Sequence, residues 1–209
     1  RIPYPMNDGG NLAMQVMIEG YHRAGWQVHL LSMNTTRHYI QPEVLKTLYT
    51  HLHAFEWVEV NNDIRPMDLV KNYLFSKEPE HASRFFVTAF KDKLKAVLKS
   101  FDPDAVQIES VYLSTYLPVI HKYSDAVTIL RIHNVEYQIW QGLSKKHKSY
   151  LKKVYFNNLT RRIKNFERAA WTEYDLLLPI TEKDAYTVSR LEDVKNIVVA
   201  PFSIDIDKV

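Results

Sequence analysis

The stretch AVTILRIHNVEYQIW, Ala126 to Trp140, decides how this chain is read. Val127, Thr128, Ile129, Leu130 and Ile132 make an apolar run rich in β-branched residues, the pattern of a strand covered on both faces in a parallel sheet. The run stops at His133-Asn134, and a helical pattern opens around Glu136. In open α/β sheets the ligand crevice lies beyond the carboxyl ends of such strands, so His133 is expected on its rim. A titratable ring there can donate, accept or shuttle a proton. The plainer alternative is that His133 and Asn134 only cap the turn into the next helix.

Working outward, the same alternation recurs. Towards the amino end, Asp104 to Glu109 (DAVQIE) reads as a short strand and Tyr112 to Tyr123 as the helix returning to Ala126. Glu109 then falls on the same rim as His133, as a ligand for a substrate hydroxyl or as a solvated strand end. Towards the carboxyl end, Asp175 to Ile180 (DLLLPI) is another buried strand. A helix opens after it at Thr181, with Asp184 three positions on, a start resembling a capping box. Ile197 to Ala200 closes the series at Pro201.

The chain begins RIPYPMNDGG, extended backbone at Pro3 and Pro5 followed by turn chemistry. A helix is expected over about Asn11 to Ala24, which puts Gly9 and Gly10 at its amino terminus. Free N–H groups and the positive end of the helix dipole suit an anion there, and a plain glycine turn is the alternative. Trp26 to Met33 and Phe55 to Val60 read as strands, Gln41 to His53 and Pro66 to Phe75 as helices. Ser83 to Phe101 is expected as one amphipathic helix with Phe86, Phe90, Leu94 and Leu98 as its core stripe. Lys145 to Glu173 is expected as a long helix whose stripe is Leu151, Val154, Leu159, Ile163, Phe166 and Ala170. Its other faces carry nine basic residues, counted from Lys145 to Arg168. Interleaved with Tyr150, Tyr155, Phe156 and Trp171, they are either a solvated face or a grip on an anionic membrane surface.

Strands alternating with helices over the whole length indicate an α/β fold, a doubly wound, parallel, Rossmann-like sheet flanked by helices. Right-handed crossovers place all strand carboxyl ends on one side, and so gather Gly9, Gly10, Glu109, His133 and Thr181 along one edge. The 209 residues suffice for one good-sized core. A net charge of +3 is too small to argue for nucleic acid. The absence of cysteine removes disulfides and thiolate chemistry. His51 and His53, with Glu56 nearby, are only a weak metal suggestion, because the two histidines share a face in a strand but diverge on the helix expected there. G-x-G-x-x-G and a carboxylate after the second strand are absent, which disfavours nicotinamide chemistry. So are G-x-S-x-G and H-E-x-x-H, which disfavours hydrolases. No run has the length of a membrane span and no signal peptide stands at the amino end, so a cytoplasmic protein is expected, either free in solution or, through the basic helix, peripheral at the inner face of the membrane.

PYPMNDGG before a helix, RIHNVEY after a buried strand, LLLPITEKDA, and VVAPFSIDIDKV at the end together resemble the amino-terminal domain of GT-B glycosyltransferases. They are most similar to the large family four of retaining, nucleotide-sugar-dependent enzymes, and the likeness spans essentially the whole chain. It implies a single Rossmann-like domain over residues 1–209, the acceptor side of a two-domain enzyme that transfers a sugar from a nucleotide-sugar donor to a glycan or lipid-linked acceptor. By that likeness Gly9 and Gly10 face the donor diphosphate, His133 and Asn134 lie in the cleft, and Thr181 and Glu182 open a late helix beside it. No metal and no other cofactor is implied.

Three departures accompany it. The family's apolar first strand is expected before Arg1. Pro201-Phe202-Ser203-Ile204-Asp205 stands where the family has asparagine and glycine after the proline. The paired glutamates of the donor-binding domain are expected after Val209, so these residues alone should be inactive. The rivals are a non-catalytic membrane- or partner-binding module of the same fold and a sugar-nucleotide epimerase of GT-B architecture.

Overall fold

A computed structural model describes residues 1–63, 79–146 and 149–202. The expected helix over Pro66 to Phe75 lies outside them, as do Lys148 and residues 203–205 of the closing motif. The fold is α/β, and every strand pairs in parallel. The strands form two sheets where one was expected, and the chain divides into two compact units, each with its own sheet.

Of the described residues, the first unit takes in 1–63, 87–102 and 202. Helix α1 (Gly9–Arg23) leads to β1 (His29–Thr35), a 3-10 turn at Thr36–His38, α2 (Pro42–Leu45) and β2 (Ala54–Val60). β1 and β2 run in register from His29↔Ala54 to Thr35↔Val60. Ile2, Ile18, Ile40, Leu45, Tyr49 and Leu52 form the core. The helix expected to reach His53 ends at Leu45, the chain continues in tighter turns at Thr47 and Leu48, and Tyr49 then takes a left-handed φ of 55°. Its ring packs edge-on to Phe55, and its hydroxyl donates to Gln15 Oε1 at 2.7 Å. Burial of that ring offsets a backbone conformation that a bulky residue seldom adopts.

The second unit takes in residues 79–86 and 103–201. It holds α3 (Glu80–Arg84), β3 (Ala105–Ile108), a 3-10 segment at Val111–Tyr116, α5 (Leu117–Tyr123), β4 (Val127–Ile132), α6 (Glu136–Lys146), α7 (Tyr150–Trp171), β5 (Leu176–Pro179) and α8 (Glu182–Leu191), with α4 (Thr88–Phe101) belonging to the first unit. The sheet order is β3-β4-β5, so β4 is central, and Leu130, Arg131 and Ile132 are all buried. At the amino ends of the strands, Asp175 Oδ2 accepts from the Thr128 N–H and hydroxyl at 2.9 Å each, and these donors hold its carboxyl below the usual range.

Four further expected elements are redrawn. The helix over Ser83 to Phe101 is broken between α3 and α4, leaving Phe90, Leu94 and Leu98 as the stripe while Phe86 is 45% exposed against Tyr116. The Tyr116 hydroxyl draws the Phe85 carbonyl out of any helical ladder, at 2.7 Å. Before α5 the chain coils as 3-10, since Pro118 has no N–H to continue an α-ladder from residue 114. The long basic helix is two helices, α6 and α7, joined as a hairpin through the Trp140–Phe156 stack and a 2.6 Å bond from Ser144 Oγ to Asn157 Oδ1. Leu159, Ile163 and Ala170 are buried as expected, whereas Val154 is exposed. Ile197 to Ala200 adds only an isolated bridge at Leu177↔Ile197.

Candidate functional site

The site lies at the carboxyl edge of the β3-β4-β5 sheet. Ile108 pairs with Leu130, so Glu109 leaves β3 level with Arg131, and His133 follows two residues later at the end of β4. The His133 ring N–H at Nε2 donates to Glu109 Oε2 at 2.7 Å. Arg131 is 1% exposed and its Nε lies 4.0 Å from the same carboxylate oxygen. Arg131 Nη2 also donates to the Ala200 carbonyl at 3.3 Å, which ties the end of β4 to the chain beyond Ile197. Glu109 is therefore held between a buried guanidinium and an imidazole. The Gln107 amide donates to its other oxygen.

Glu109, Arg131 and His133 line a small open pocket together with Ser110, Asn134, Glu136 and Glu167. His133 Nδ1 is buried and has no hydrogen-bond partner among the described residues. A ring held through Nε2 by a carboxylate keeps its Nδ1 lone pair for a hydroxyl, the arrangement that suits an imidazole for positioning or deprotonating an alcohol.

In the wall of the pocket a carboxylate closes the start of α6. Glu167 on α7 is fully buried and accepts from the backbone N–H groups of Glu136 and Tyr137, each at 2.8 Å. Burial pushes its carboxyl up to about 8, against the two N–H donors that favour the anion. Burial likewise raises Glu136, whose Oε2 accepts from the Tyr112 hydroxyl at 3.1 Å. His81, between Tyr112 and Trp140, is lowered to about 4 by burial.

Of the residues singled out from sequence, the structure brings Glu109, His133 and Asn134 together in one pocket. Thr181 caps α8, accepting from the Asp184 N–H at 3.1 Å and donating to Asp184 Oδ2 at 2.6 Å. Glu182 is exposed in the first turn of that helix, and neither residue lines the pocket. Gly9 and Gly10 belong to the first unit, where they open α1. There Asp8 provides an anion from the chain itself, its Oδ1 accepting from the Asn11 N–H at 2.8 Å while its carboxylate pairs with Arg1. Among the described residues no three acidic or histidine side chains cluster as a metal site, and no helix is long and apolar enough to cross a membrane.

Arg131 and Glu167 were not singled out, although both left a signal. Each is a charge in a buried pattern, Arg131 inside the strand VTILRI and Glu167 on the α7 stripe, four residues after Ile163 and three before Ala170.

What the fold and site define is a parallel α/β unit with a histidine–carboxylate pair at its carboxyl edge. No protein-family model matches the chain, and no curated protein matches it. Among solved structures it is similar to Arabidopsis thaliana UGT89C1 complexed with quercetin, at 17% identity and a TM-score of 0.49 over 98% of this chain and 51% of that one. The same protein complexed with UDP-L-rhamnose gives 18% identity and a TM-score of 0.45 over 92% of this chain and 45% of that one. The chain thus spans about half the length of UGT89C1. At these identities the likeness concerns the path of the backbone and assigns no role to a residue.

Proposed function

We propose that this chain is the acceptor-side portion of a GT-B glycosyltransferase that moves a sugar from a nucleotide-sugar donor to a glycan or lipid-linked acceptor. The observation that carries the reading is the His133–Glu109 pair at the carboxyl edge of a parallel sheet, backed by buried Arg131. It stands where α/β folds bind ligands, with His133 inside the RIHNVEY motif that resembles the family. In this reading His133 holds the reacting hydroxyl, Glu109 orients the ring and Asn134 contacts substrate at the rim. Gly9, Gly10, Thr181 and Glu182 serve the donor side, where helix amino termini and cations of a second domain stabilise the departing diphosphate. No metal is needed for that departure.

Two stereochemical courses follow from the same residues. The resemblance favours retention, with donor leaving and acceptor arriving on one face of the sugar. A carboxylate-held imidazole whose Nδ1 has no hydrogen-bond partner among the described residues favours a general base and direct displacement, which inverts the anomeric carbon. NMR of the product anomer separates the two.

The test uses the natural full-length protein, screened with UDP-, GDP- and ADP-sugars against lipid and oligosaccharide acceptors. His133→Ala is expected to lower turnover by roughly 100-fold or more with little change in melting temperature. Unchanged turnover removes the role assigned to His133, and a full-length protein with no transfer to any acceptor removes the reading in favour of a binding module.

A further inference from the structure

The α6–α7 hairpin carries a surface that the transfer chemistry does not use. Between Tyr137 and Phe166 the sequence has eight lysines and arginines and no aspartate or glutamate. The whole chain has a net charge of only +3, so this hairpin is its basic pole and the rest is net acidic. Lys145 and Lys146, in the last turn of α6, and Lys152 and Lys153, in the first turn of α7, are all exposed. Apolar side chains stand among them. Ile139 and Leu143 lie one helical turn apart on α6, Tyr150 and Val154 one turn apart on α7, and all four are exposed, Tyr150 by 77%.

A solvated charged face explains the lysines and leaves the aliphatics unexplained. Phosphates of a nucleic acid would pair with the lysines, but Ile139, Leu143 and Val154 would gain nothing along a sugar–phosphate backbone. A bilayer offers both partners at once, lipid phosphates for the ammonium groups and the acyl boundary for the apolar side chains. We propose that the turn end of this hairpin docks on an anionic lipid surface, with Ile139, Leu143, Tyr150 and Val154 entering the boundary between headgroups and acyl chains. The inference stands on the hairpin alone and is independent of the transferase reading.

Cosedimentation with vesicles tests it, without any nucleotide sugar, so its outcome is separate from that of the activity screen. The protein is expected to pellet with vesicles of equal parts phosphatidylcholine and phosphatidylglycerol, to stay in solution with phosphatidylcholine alone, and to be released by high salt. Each basic residue near such a surface strengthens binding roughly five-fold, so K145E/K146E/K152E/K153E should weaken it by at least about 100-fold. I139S/L143S/V154S should weaken it by about 10-fold or more while keeping the salt dependence. Both variants replace exposed side chains and should keep the melting temperature. Absence of binding, equal binding to neutral vesicles, or binding that both variants leave unchanged overturns the proposal. Retention of single-stranded RNA by a protein that ignores anionic vesicles overturns it in favour of nucleic acid.

Discussion

Helices α6 and α8 start at equivalent places, each directly after a strand of the same parallel sheet, yet they are held by opposite means. At α8 the cap comes from three residues away, Thr181 accepting from the Asp184 N–H in an exposed turn. At α6 it comes from α7, where the carboxylate of Glu167 reaches two N–H groups 30 and 31 residues earlier in the chain. The local cap satisfies one helix end. The distant one joins the start of α6 to α7 and, through the short turn at His133-Asn134, sets where the imidazole leaves β4. A cap in solvent can be local, whereas one that frames a pocket is buried and must be satisfied in full.

The comparison breaks if the two caps prove equal. Glu167→Ala leaves two buried N–H donors unmet and opens a cavity, and is expected to cost about 3–5 kcal/mol in urea denaturation. A loss of about 1 kcal/mol or less would make the distant cap no more than a second Thr181.

The next largest effect is a pH dependence. Glu167 is raised to about 8 from an ordinary 4.5, so between those values the unfolded chain has released a proton that the folded one keeps, and stability falls as pH rises. His81 works against this lower down. It is depressed to about 4 from 6.5, so from pH 4 to 6.5 the unfolded chain binds a proton that the folded one refuses, and stability rises with pH. The two oppose each other up to about pH 6.5, which leaves the window from there to about 8 to Glu167. Stability is expected to drop in that window by up to about 1.4 kcal/mol per pH unit. Glu167→Gln should flatten it, as read from melting temperatures across the window. A slope that persists in the variant would assign the titration elsewhere, first to Glu136.

Smaller effects calibrate the local side of the comparison. Thr181→Ala is expected to cost about 1 kcal/mol, the ordinary worth of an N-cap. Arg1→Ala, which removes the exposed partner of Asp8 at the start of α1, should shift stability by less than about 0.5 kcal/mol, and added salt should shrink even that. A larger loss would give this helix end more than a capping role.

The legible parts of the molecule were those with local causes. The β-branched run before His133, the Thr181 start of α8 and the buried Leu159, Ile163 and Ala170 all follow from residues within a few positions of one another. The departures had distant causes. Phe86 fits the helical stripe of Phe90, Leu94 and Leu98, but the Tyr116 hydroxyl captures the Phe85 carbonyl and ends that helix. Lys145 to Glu173 reads as one helix, but Lys145 and Lys146 end α6, whose Ser144 and Trp140 close the hairpin onto Asn157 and Phe156. In the pocket, His133 and Glu109 were visible as polar residues at strand ends. Arg131 and Glu167 were hidden because a charge within an apolar pattern has no local explanation until its partner is in place.

By itself the sequence determined the succession of strands and helices, the parallel character of the sheet, the rim position of His133 and Glu109, and the basic, acid-free stretch from Tyr137 to Phe166. Hydrophobic period, helix caps and charge are properties of neighbouring residues and survive in one dimension. Tertiary structure alone decided that the strands fall into two sheets, that Glu109 sits between Arg131 and His133, and that Glu167 closes α6. Those outcomes depend on burial, which strips water from a charged or polar group and makes its partner, however far along the chain, the condition for its being there.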